Sequence, residues 1–343
     1  MHLLEGGSQS RMRVEDPSQV GDCRRAAQRL AELYDFDDTL TGRVGIVATE
    51  LANNLVKHAG HGELLIQAIL DAGEVTIELL AIDRGPGMRV EICMRDGYST
   101  GGTAGTGLGA ISRLSTLFDV YSVDGQGTVA VSRIEKRTGG APARPAPGKG
   151  ALEFGAISVA LAGEIECGDV WRIADSSQGL SIMVADGLGH GPLAATAARA
   201  AAVAFAERPF GDPGEAMQHL HRALSGGRGA AAACAMRRAG ESKVVYSGVG
   251  NISGSLVSTE KSRGMVSHNG ILGVQLPRRQ QFEYECSPGD RIVMHSDGMS
   301  ARWSISSYPG LFVRHAAVIA GVLYRDHARA RDDVTVVVAG IRP

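Results

Sequence analysis

Four aspartates in the C-terminal half of the chain stand where strand-like runs begin or end. They are Asp169, Asp186, Asp297 and Asp332, each beside Gly, Val or another Asp. Carboxylates at strand ends can converge on one edge of a sandwich, where they would repel one another strongly without cations. Hard divalent ions are the usual partners of such oxygen ligands, and two of them could hold a hydroxide and clamp a phosphate oxygen. Asp186 suits the position shared by both ions, because the residue after it is a glycine, and the Gly187 backbone carbonyl can approach the same cluster.

A second group of polar residues lies on a helical pattern in the N-terminal half. The run from Thr39 to His58 places Glu50, Asn54 and His58 at i, i+4 and i+8, so the three should line one face. For His58 alone, a role at the helix end, favoured by the helix dipole, is the better interpretation.

Glycine-rich stretches follow this helix. A strand-like run ends at Asp83 and continues as RGPG, and residues 101–109, GGTAGTGLG, lead directly into an apolar helical run. A flexible loop that opens a helix offers unpaired N–H groups and a positive helix end to an anion. Taken singly, each of these signals is more typical of a turn or of a solvated helix face. Only the order in which they occur along the chain indicates a function.

The order is ExxxN on a helix, DxGxG after a strand, GTGLG opening a helix, and a Gly-Thr strand start. It resembles the GHKL-type (Bergerat) ATPase fold of gyrase, Hsp90, histidine kinases and anti-sigma serine kinases, over about residues 15–135. The segments GYSTG (residues 97–101) and TELANNLVKHAG are most similar to the stressosome switch kinase RsbT.

This resemblance implies roles for individual residues. Asn54 would hold Mg²⁺, and Glu50 would act as general base toward a substrate hydroxyl. Asp83 would accept a hydrogen bond from the adenine amine, and Thr128 would support the adenine pocket. Two glycines, Gly85 and Gly87, would let the backbone pass close to the base. Three more would cradle the phosphates: Gly105, Gly107 and Gly109.

The C-terminal motifs are GDVW, ADGLGHG, HSDGM and RDDVTVVV, the last before a terminal strand. They resemble the metal-dependent PPM-type serine/threonine phosphatases, and most closely the SpoIIE/RsbX branch, over about residues 152–343. The resemblance makes Asp169, Asp186, Asp297 and Asp332 metal ligands, with Gly187 ligating through its carbonyl and Asp333 holding the ligands from behind. His190 would either donate a proton to the leaving serine or shape its turn. No arginine adjoins the first metal motif, in contrast to larger members of the class.

Between these halves lies RTGGAPARPAPGKG, residues 137–150, which lacks apolar periodicity and is typical of a linker. We therefore expect two α+β domains: a GHKL α/β sandwich over residues 1–136 and a PPM-type αββα sandwich over residues 151–343. Each is large enough for its own core.

The bulk composition narrows the class of protein. A formal net charge of -2 and the absence of a basic run argue against nucleic-acid binding. Five cysteines, odd in number and never spaced as CxxC, favour neither a disulfide framework nor a zinc site. No signal peptide and no apolar run of about 20 residues is found, so we expect a cytoplasmic protein without a membrane span.

The expected function is a bifunctional regulator that uses ATP with Mg²⁺ in a serine/threonine kinase domain and Mn²⁺ or Mg²⁺ in a phosphatase domain. By resemblance, the substrate is a STAS-domain antagonist, and a sigma factor or stressosome component is a further partner. Two alternatives stay open: an anti-sigma module that sequesters its partner without kinase turnover, and a catalytically silent scaffold.

Overall fold

The computed structural model describes residues 1–90, 107–136, 152–276 and 280–342. The chain divides into two compact units, Gln9–Pro142 and Met1–Ser8 with Ala143–Pro343. The first strand, β1 (His2–Gly6), thus belongs to the same unit as the C-terminal half. Within the described residues, no helix combines the length and the apolarity needed to cross a bilayer. The expected linker, residues 137–150, lies outside the described residues.

Two consecutive helices of the unit Gln9–Pro142 pack against each other. Helix α1 (Gln19–Leu33) buries Val20, Cys23, Ala27 and Ala31. Helix α2 (Asp38–Asn54) begins where the Asp37 carboxylate accepts a hydrogen bond from Leu40 N at 2.8 Å, which satisfies a free N–H of the first turn.

The helix of residues 39–58 does not continue in one geometry. After Asn54 the chain forms a π-helical turn, Leu55–Ala59. His58 lies in this turn, and its side chain is exposed. That His58 shares a face with Glu50 and Asn54 stays a prediction.

The sheet of this unit is antiparallel and packs one face against the helices. Its order is β2–β3–β4–β6–β5. The β3–β4 hairpin closes through Ala72 and Gly73, both with positive φ as a tight hairpin requires. Helix α3 (Gly107–Leu114) buries Leu108 and Ile111. The strands are β2 (Ser10–Val14), β3 (Gly62–Asp71), β4 (Glu74–Asp83), β5 (Leu117–Val123) and β6 (Gly127–Glu135).

The other unit contains two antiparallel sheets. One runs β1–β8–β9–β10–β11–β14 and the other β13–β12–β15–β16–β7. The strands are β7 (Phe154–Val159), β8 (Asp169–Ser176), β9 (Gly179–Gly187), β10 (Ala230–Arg238), β11 (Lys243–Val249), β12 (Ser253–Val257), β13 (Ser262–Met265), β14 (Phe282–Glu285), β15 (Arg291–His295) and β16 (Val334–Gly340).

Helices lie outside both sheets. Helix α4 (Pro192–Glu207) packs on β8 and β9, and α5 (Pro213–Ala223) packs on β10 and β11. Helix α6 (Ala316–His327) covers β7 and β16. The layers are therefore helix, sheet, sheet, helix, and the expected αββα class is confirmed. The last helix begins five residues later than its apolar run, Leu311–Tyr324, predicts, because His315 caps it by accepting from Ala317 N.

Strand β1 is a difference from the sequence-based expectation, which assigns residues 1–8 to the first domain. The strand pairs antiparallel with β8, with His2 opposite Asp175 and Glu5 opposite Arg172. Leu4 is buried, and the Glu5 carboxylate forms an ion pair with Arg172. The proposed boundary between the two domains at residues 137–150 stays a prediction.

Candidate functional site

The four aspartates of the C-terminal unit are positioned by both of its sheets. Asp169 begins β8 and Asp186 lies near the end of β9, and the two residues stand directly opposite each other in the antiparallel register. Asp297 follows β15 by two residues, and Asp332 precedes β16 by two, at the edge where these paired strands meet. Strand register therefore places Asp169 and Asp186, and the connections next to β15 and β16 place Asp297 and Asp332.

An asparagine connects two of these aspartates. Asn251 Nδ2 donates to Asp297 Oδ2 at 2.6 Å and lies 3.4 Å from Asp186 Oδ2. It follows Gly250, whose φ of 93° turns the chain after β11. Asn251 is not among the residues that the sequence predicts for this site. Its role depends on a contact between distant strands, which residue spacing does not reveal.

The carboxylates raise one another's pKa. Burial raises the pKa of Asp186 to about 7, and the charges of Asp297 and Asp332 add to the shift, while the bond from Asn251 opposes it. Burial is also the main cause of the raised pKa of Asp332, with a contribution from Asp297. A cluster of this kind favours either protonation or a bound cation, because isolated negative charges are costly away from water.

Asp169 is the most deeply buried of the four, at 6% exposed. Its Oδ2 accepts from Ser296 Oγ at 2.6 Å, and Ser296 Oγ accepts in turn from Thr335 N at 3.0 Å. Within the described residues, its Oδ1 is buried without a hydrogen-bond partner. Burial and the neighbouring Asp186 charge hold the pKa of Asp169 well above its usual range.

Asp333 supports the cluster from behind. Its carboxylate accepts from Leu161 N and Gly168 N, both at 2.7 Å, and so ties β16 to both ends of the loop between β7 and β8. Its own N–H donates to Asp332 Oδ1 at 2.9 Å and fixes that side chain. Asp333 therefore orients the loop before Asp169 and one carboxylate of the cluster.

Glycine is required where backbone segments cross at the site. A Cβ on Gly187 would lie 2.1 Å from Ala194 O, and one on Gly298 would lie 1.9 Å from Asp333 O. Both distances are shorter than van der Waals contact allows, so the Asp-Gly pairs of the sequence here do more than form turns.

His190 lies in the loop between β9 and α4. Its Nδ1 is 2.6 Å from Glu164 Oε1, which belongs to the loop after β7. His190 is close enough to Asp332 for its charge to lower the pKa of that carboxyl. The pairing with Glu164 joins two loops at the rim of the cluster and supports the turn-shaping interpretation of this histidine.

The donor set fits hard divalent ions. All the side-chain donors are oxygens, one carboxylate oxygen of Asp169 is buried and unpaired, and the neighbours of Asp186 are negatively charged. Within the described ranges, no three His, Cys, Asp or Glu side chains already form a closed metal cage. A cation would therefore have to draw Asp186 and Asp297 toward itself and away from the amide of Asn251.

The N-terminal candidate residues form two groups. At one end, Glu50 and Asn54 project from α2 toward the start of α3. The Cβ position of Gly107 is 3.8 Å from both Asn54 Oδ1 and Glu50 Oε2. The structure therefore brings the helix-opening glycine to the polar face of α2, as phosphate binding requires. Gly109 lies in the first turn of α3, and Gly105 is outside the described residues.

At the other end, Asp83 organises a hydrogen-bonded corner. Its Oδ1 accepts from Gly85 N at 2.8 Å and from Thr128 N at 3.1 Å. The Thr128 hydroxyl is 2.9 Å from Ser122 Oγ, which also accepts from Met88 N at 2.8 Å. Ser122 was not among the expected site residues, because nothing in its local sequence indicates it.

Close backbone packing explains the glycines after Asp83. A Cβ on Gly85 would lie 2.7 Å from Ala59 Cα, and one on Gly87 would lie 2.3 Å from Val123 O. Gly87 also has a φ of 77°, which side chains rarely tolerate. Both glycines let the turn after β4 pass close to neighbouring backbone.

Two family models match the chain. Residues 14–133 match the histidine kinase-like ATPase domain, and residues 176–342 match the Stage II sporulation protein E (SpoIIE) family. The second range contains Asp186, Asp297 and Asp332, whereas Asp169 lies seven residues before it.

Known relatives fall on the same two halves. The serine/threonine-protein kinase RsbT of Bacillus subtilis (strain 168) is 32% identical over 121 residues, which are 35% of this chain and 91% of the relative. A solved structure described as the bacterial stressosome, a modular system adapted to control secondary messenger signalling, is 30% identical with a TM-score of 0.51, covering 55% of this chain and all of the other.

A crystal structure of RsbX in complex with magnesium has a TM-score of 0.51 and 21% identity, covering 55% of this chain and 95% of the other. At that identity the likeness shows a shared fold.

Proposed function

The chain belongs to the family of the serine/threonine-protein kinase RsbT through its N-terminal half and joins this RsbT-like kinase domain to a SpoIIE-type phosphatase domain. From this premise we propose that it is a cytoplasmic regulator that phosphorylates serine or threonine on a STAS-domain antagonist protein and removes the phosphate again. Support for this class of substrate comes from the descriptions of two relatives, a serine/threonine-protein kinase and a bacterial stressosome structure.

The observation that carries the phosphatase proposal is the convergence of Asp169, Asp186, Asp297 and Asp332 from two sheets. These carboxylates and the Gly187 carbonyl would hold two Mn²⁺ or Mg²⁺ ions, with Asp186 shared. When bound, such ions supply Lewis-acid activation of water and charge neutralisation on the phosphate. Asn251 spaces Asp186 and Asp297, and Asp333 orients Asp332 and the loop before Asp169.

The kinase proposal depends on the polar face of α2. Glu50 would accept the proton of the substrate hydroxyl, and Asn54 would hold Mg²⁺ beside the glycine loop. The corner made by Asp83, Gly85 and Thr128 would receive the adenine, with the Asp83 carboxylate as the acceptor for its amine. ATP supplies the transferred phosphoryl group, and the protein's task is largely positioning. Gly85, Gly87, Gly105, Gly107 and Gly109 would line the nucleotide.

The phosphatase proposal is tested with the full chain, Mn²⁺ and a phosphoserine protein substrate. Asp186→Asn should lower kcat at least a hundredfold, because it removes the shared ligand. Asp290→Asn is the matched control: this carboxylate lies at the opposite end of β15 from Asp297, and it accepts a hydrogen bond from Ser287 N within its own turn. Equal rates for wild type and Asp186→Asn would refute the phosphatase proposal.

The kinase proposal is tested by transfer of labelled phosphate from ATP to purified STAS proteins. Glu50→Ala should abolish transfer while leaving ATP binding near the wild-type level, and Glu32→Ala, on the exposed side of α1, should change neither. The rival function, sequestration of a sigma factor without turnover, predicts equal sigma-factor binding by wild type and Glu50→Ala and no transfer to any STAS protein.

A further inference from the structure

The proposed phosphatase site contains many anionic ligands but lacks an arginine at the position where its resemblance to larger phosphatases would place one. Residues 160–168, ALAGEIECG, include two glutamates and no basic residue. A phosphomonoester carries about two negative charges near neutral pH, and enzymes commonly hold it with the planar guanidinium of an arginine. If the chain has such a group, another element must supply it.

Arg228 lies beside the loop that carries Asp186. It immediately precedes Gly229, whose carbonyl oxygen accepts from Leu188 N at 3.1 Å. The next residue, Ala230, begins β10 directly opposite Gly187, and Ala231 stands opposite Asp186. Backbone pairing therefore fixes the segment that bears Arg228 against the loop of residues 186–191.

The guanidinium reaches that loop. Arg228 Nη1 is 3.1 Å from where a Cβ on Gly189 would stand, so even an alanine at 189 would crowd it. Gly189 also has a φ of 92°, which glycine adopts freely. The Arg228 guanidinium thus lies next to Gly189, three residues along the chain from Asp186.

Two other cationic side chains at this rim contact groups of the protein. His190 pairs with Glu164, and Arg329 Nη1 donates to the Asp297 carbonyl at 3.4 Å. By contrast, within the described parts of the chain the exposed Arg228 side chain makes no hydrogen bond and no ion pair. A guanidinium without an internal carboxylate partner, held beside a cluster of metal ligands, is suited to an anion from solution.

We propose that Arg228 binds the phosphate group of the phosphoserine or phosphothreonine substrate at the rim of the carboxylate cluster. The inference rests on the phosphatase function proposed above. Arginine can donate two parallel N–H bonds to phosphate oxygens, and such charge-assisted bonds set orientation as well as affinity. The group forms no bond with the leaving serine, so its removal should weaken substrate binding more than it slows the chemical step.

The test uses the full-length protein loaded with Mn²⁺ and a phosphoserine peptide. Arg228→Ala should raise KM about tenfold or more, and Arg228→Lys should recover only part of the loss, because lysine keeps the charge but not the bidentate geometry. Competitive inhibition by inorganic phosphate should weaken by a similar factor. The stabilisation that phosphate gives the Mn²⁺-loaded protein in thermal unfolding should also decrease.

Arg238→Ala is the matched control, since Arg238 is exposed at the far end of the same strand, β10, roughly 25 Å from Ala230. It removes the same charge and should leave KM and phosphate inhibition unchanged. Mn²⁺ affinity, measured by calorimetry, should be equal in all four proteins.

Each outcome decides something different. An active wild type with unchanged KM and unchanged phosphate inhibition in Arg228→Ala would overturn the assignment of Arg228 and leave the phosphatase proposal intact. An equal loss in Arg238→Ala would also overturn it, because general charge would then explain the effect. A wild type that hydrolyses no phosphoserine would refute the phosphatase proposal and this assignment with it.

Discussion

The two candidate sites are built in different ways. In the C-terminal unit, Asp169 and Asp186 are fixed opposite each other by strand register, and the carboxylate of Asp333 holds the surrounding loop through two backbone N–H groups. In the N-terminal unit, Glu50 and Asn54 share a helix face, and the residues facing them come from a glycine-rich segment. Mutually repelling carboxylates need a rigid frame, whereas the N-terminal group depends on neutral backbone N–H groups at Asp83 and on glycine backbone that packs closely.

This comparison predicts that supports of the carboxylate cluster matter more for stability than supports of the nucleotide corner. The largest effect is expected for Asp333→Ala. One buried and one partly buried N–H group would lose a charged acceptor, so the free energy of unfolding of the C-terminal unit should decrease by about 3 kcal/mol. Chemical denaturation followed by the fluorescence of Trp171, which is buried in that unit, measures the change.

Asp290→Ala provides the internal comparison for this experiment, since it also removes a carboxylate that accepts a backbone N–H, but in a turn. It should cost less than about 1 kcal/mol, typical of a hydrogen bond that water can replace. Equal losses of unfolding free energy in Asp333→Ala and Asp290→Ala would contradict the expectation that the support of the carboxylate cluster contributes more to stability than an ordinary turn. ATP binding should be unaffected in both.

A smaller effect is expected from the first strand. Leu4→Ala should destabilise the C-terminal unit by about 2 kcal/mol, because Leu4 is 2% exposed and its truncation leaves a cavity. The affinity for ATP should not change. Leu33→Ala, which alters a leucine that is 73% exposed on α1, should change neither property. If Leu4→Ala weakened ATP binding and left the C-terminal unit intact, the assignment of β1 to that unit would be wrong.

The smallest effect is expected at the adenine corner. Ser122→Ala removes a hydroxyl that accepts from Met88 N and pairs with Thr128, and it should weaken ATP binding severalfold, about the value of one neutral hydrogen bond. Equilibrium binding of a fluorescent ATP analogue measures this. Thr116→Ala, whose hydroxyl bonds Arg133 O, is the comparison that should leave nucleotide affinity unchanged. A loss of ATP affinity as large as that caused by Asp83→Ala would contradict the expectation that this corner is less tightly constrained than the carboxylate cluster.

Much of this arrangement could be predicted from local sequence. Alternating or continuous apolar runs that end at clear turn residues predict strands at 74–83, 243–249 and 291–295, and the structure has strands with the same bounds. The order of Asp169, Asp186, Asp297 and Asp332 was informative for the same reason, since each adjoins a strand end. The roles of these residues as ligands stay a prediction.

Other features had no local signal. The strand β1 is formed from HLLEG, which gains its stability from pairing with a strand far along the chain. Asn251 reaches Asp186 and Asp297 only after three segments have folded together, and the π-helical turn after Asn54 has no distinguishing composition. These features depend on tertiary contacts, which spacing and propensity do not specify.

The pairing of β1 with β8 has a consequence for how the chain is made. Residues 2–6 leave the ribosome long before residues 169–176, and at ordinary translation rates the delay is on the order of ten seconds or more. During that time the N-terminal unit can complete its own sheet, whereas the edge of β1 that pairs with β8 waits for its partner strand. The ion pair between Glu5 and Arg172 can therefore form only once the phosphatase half is being synthesised.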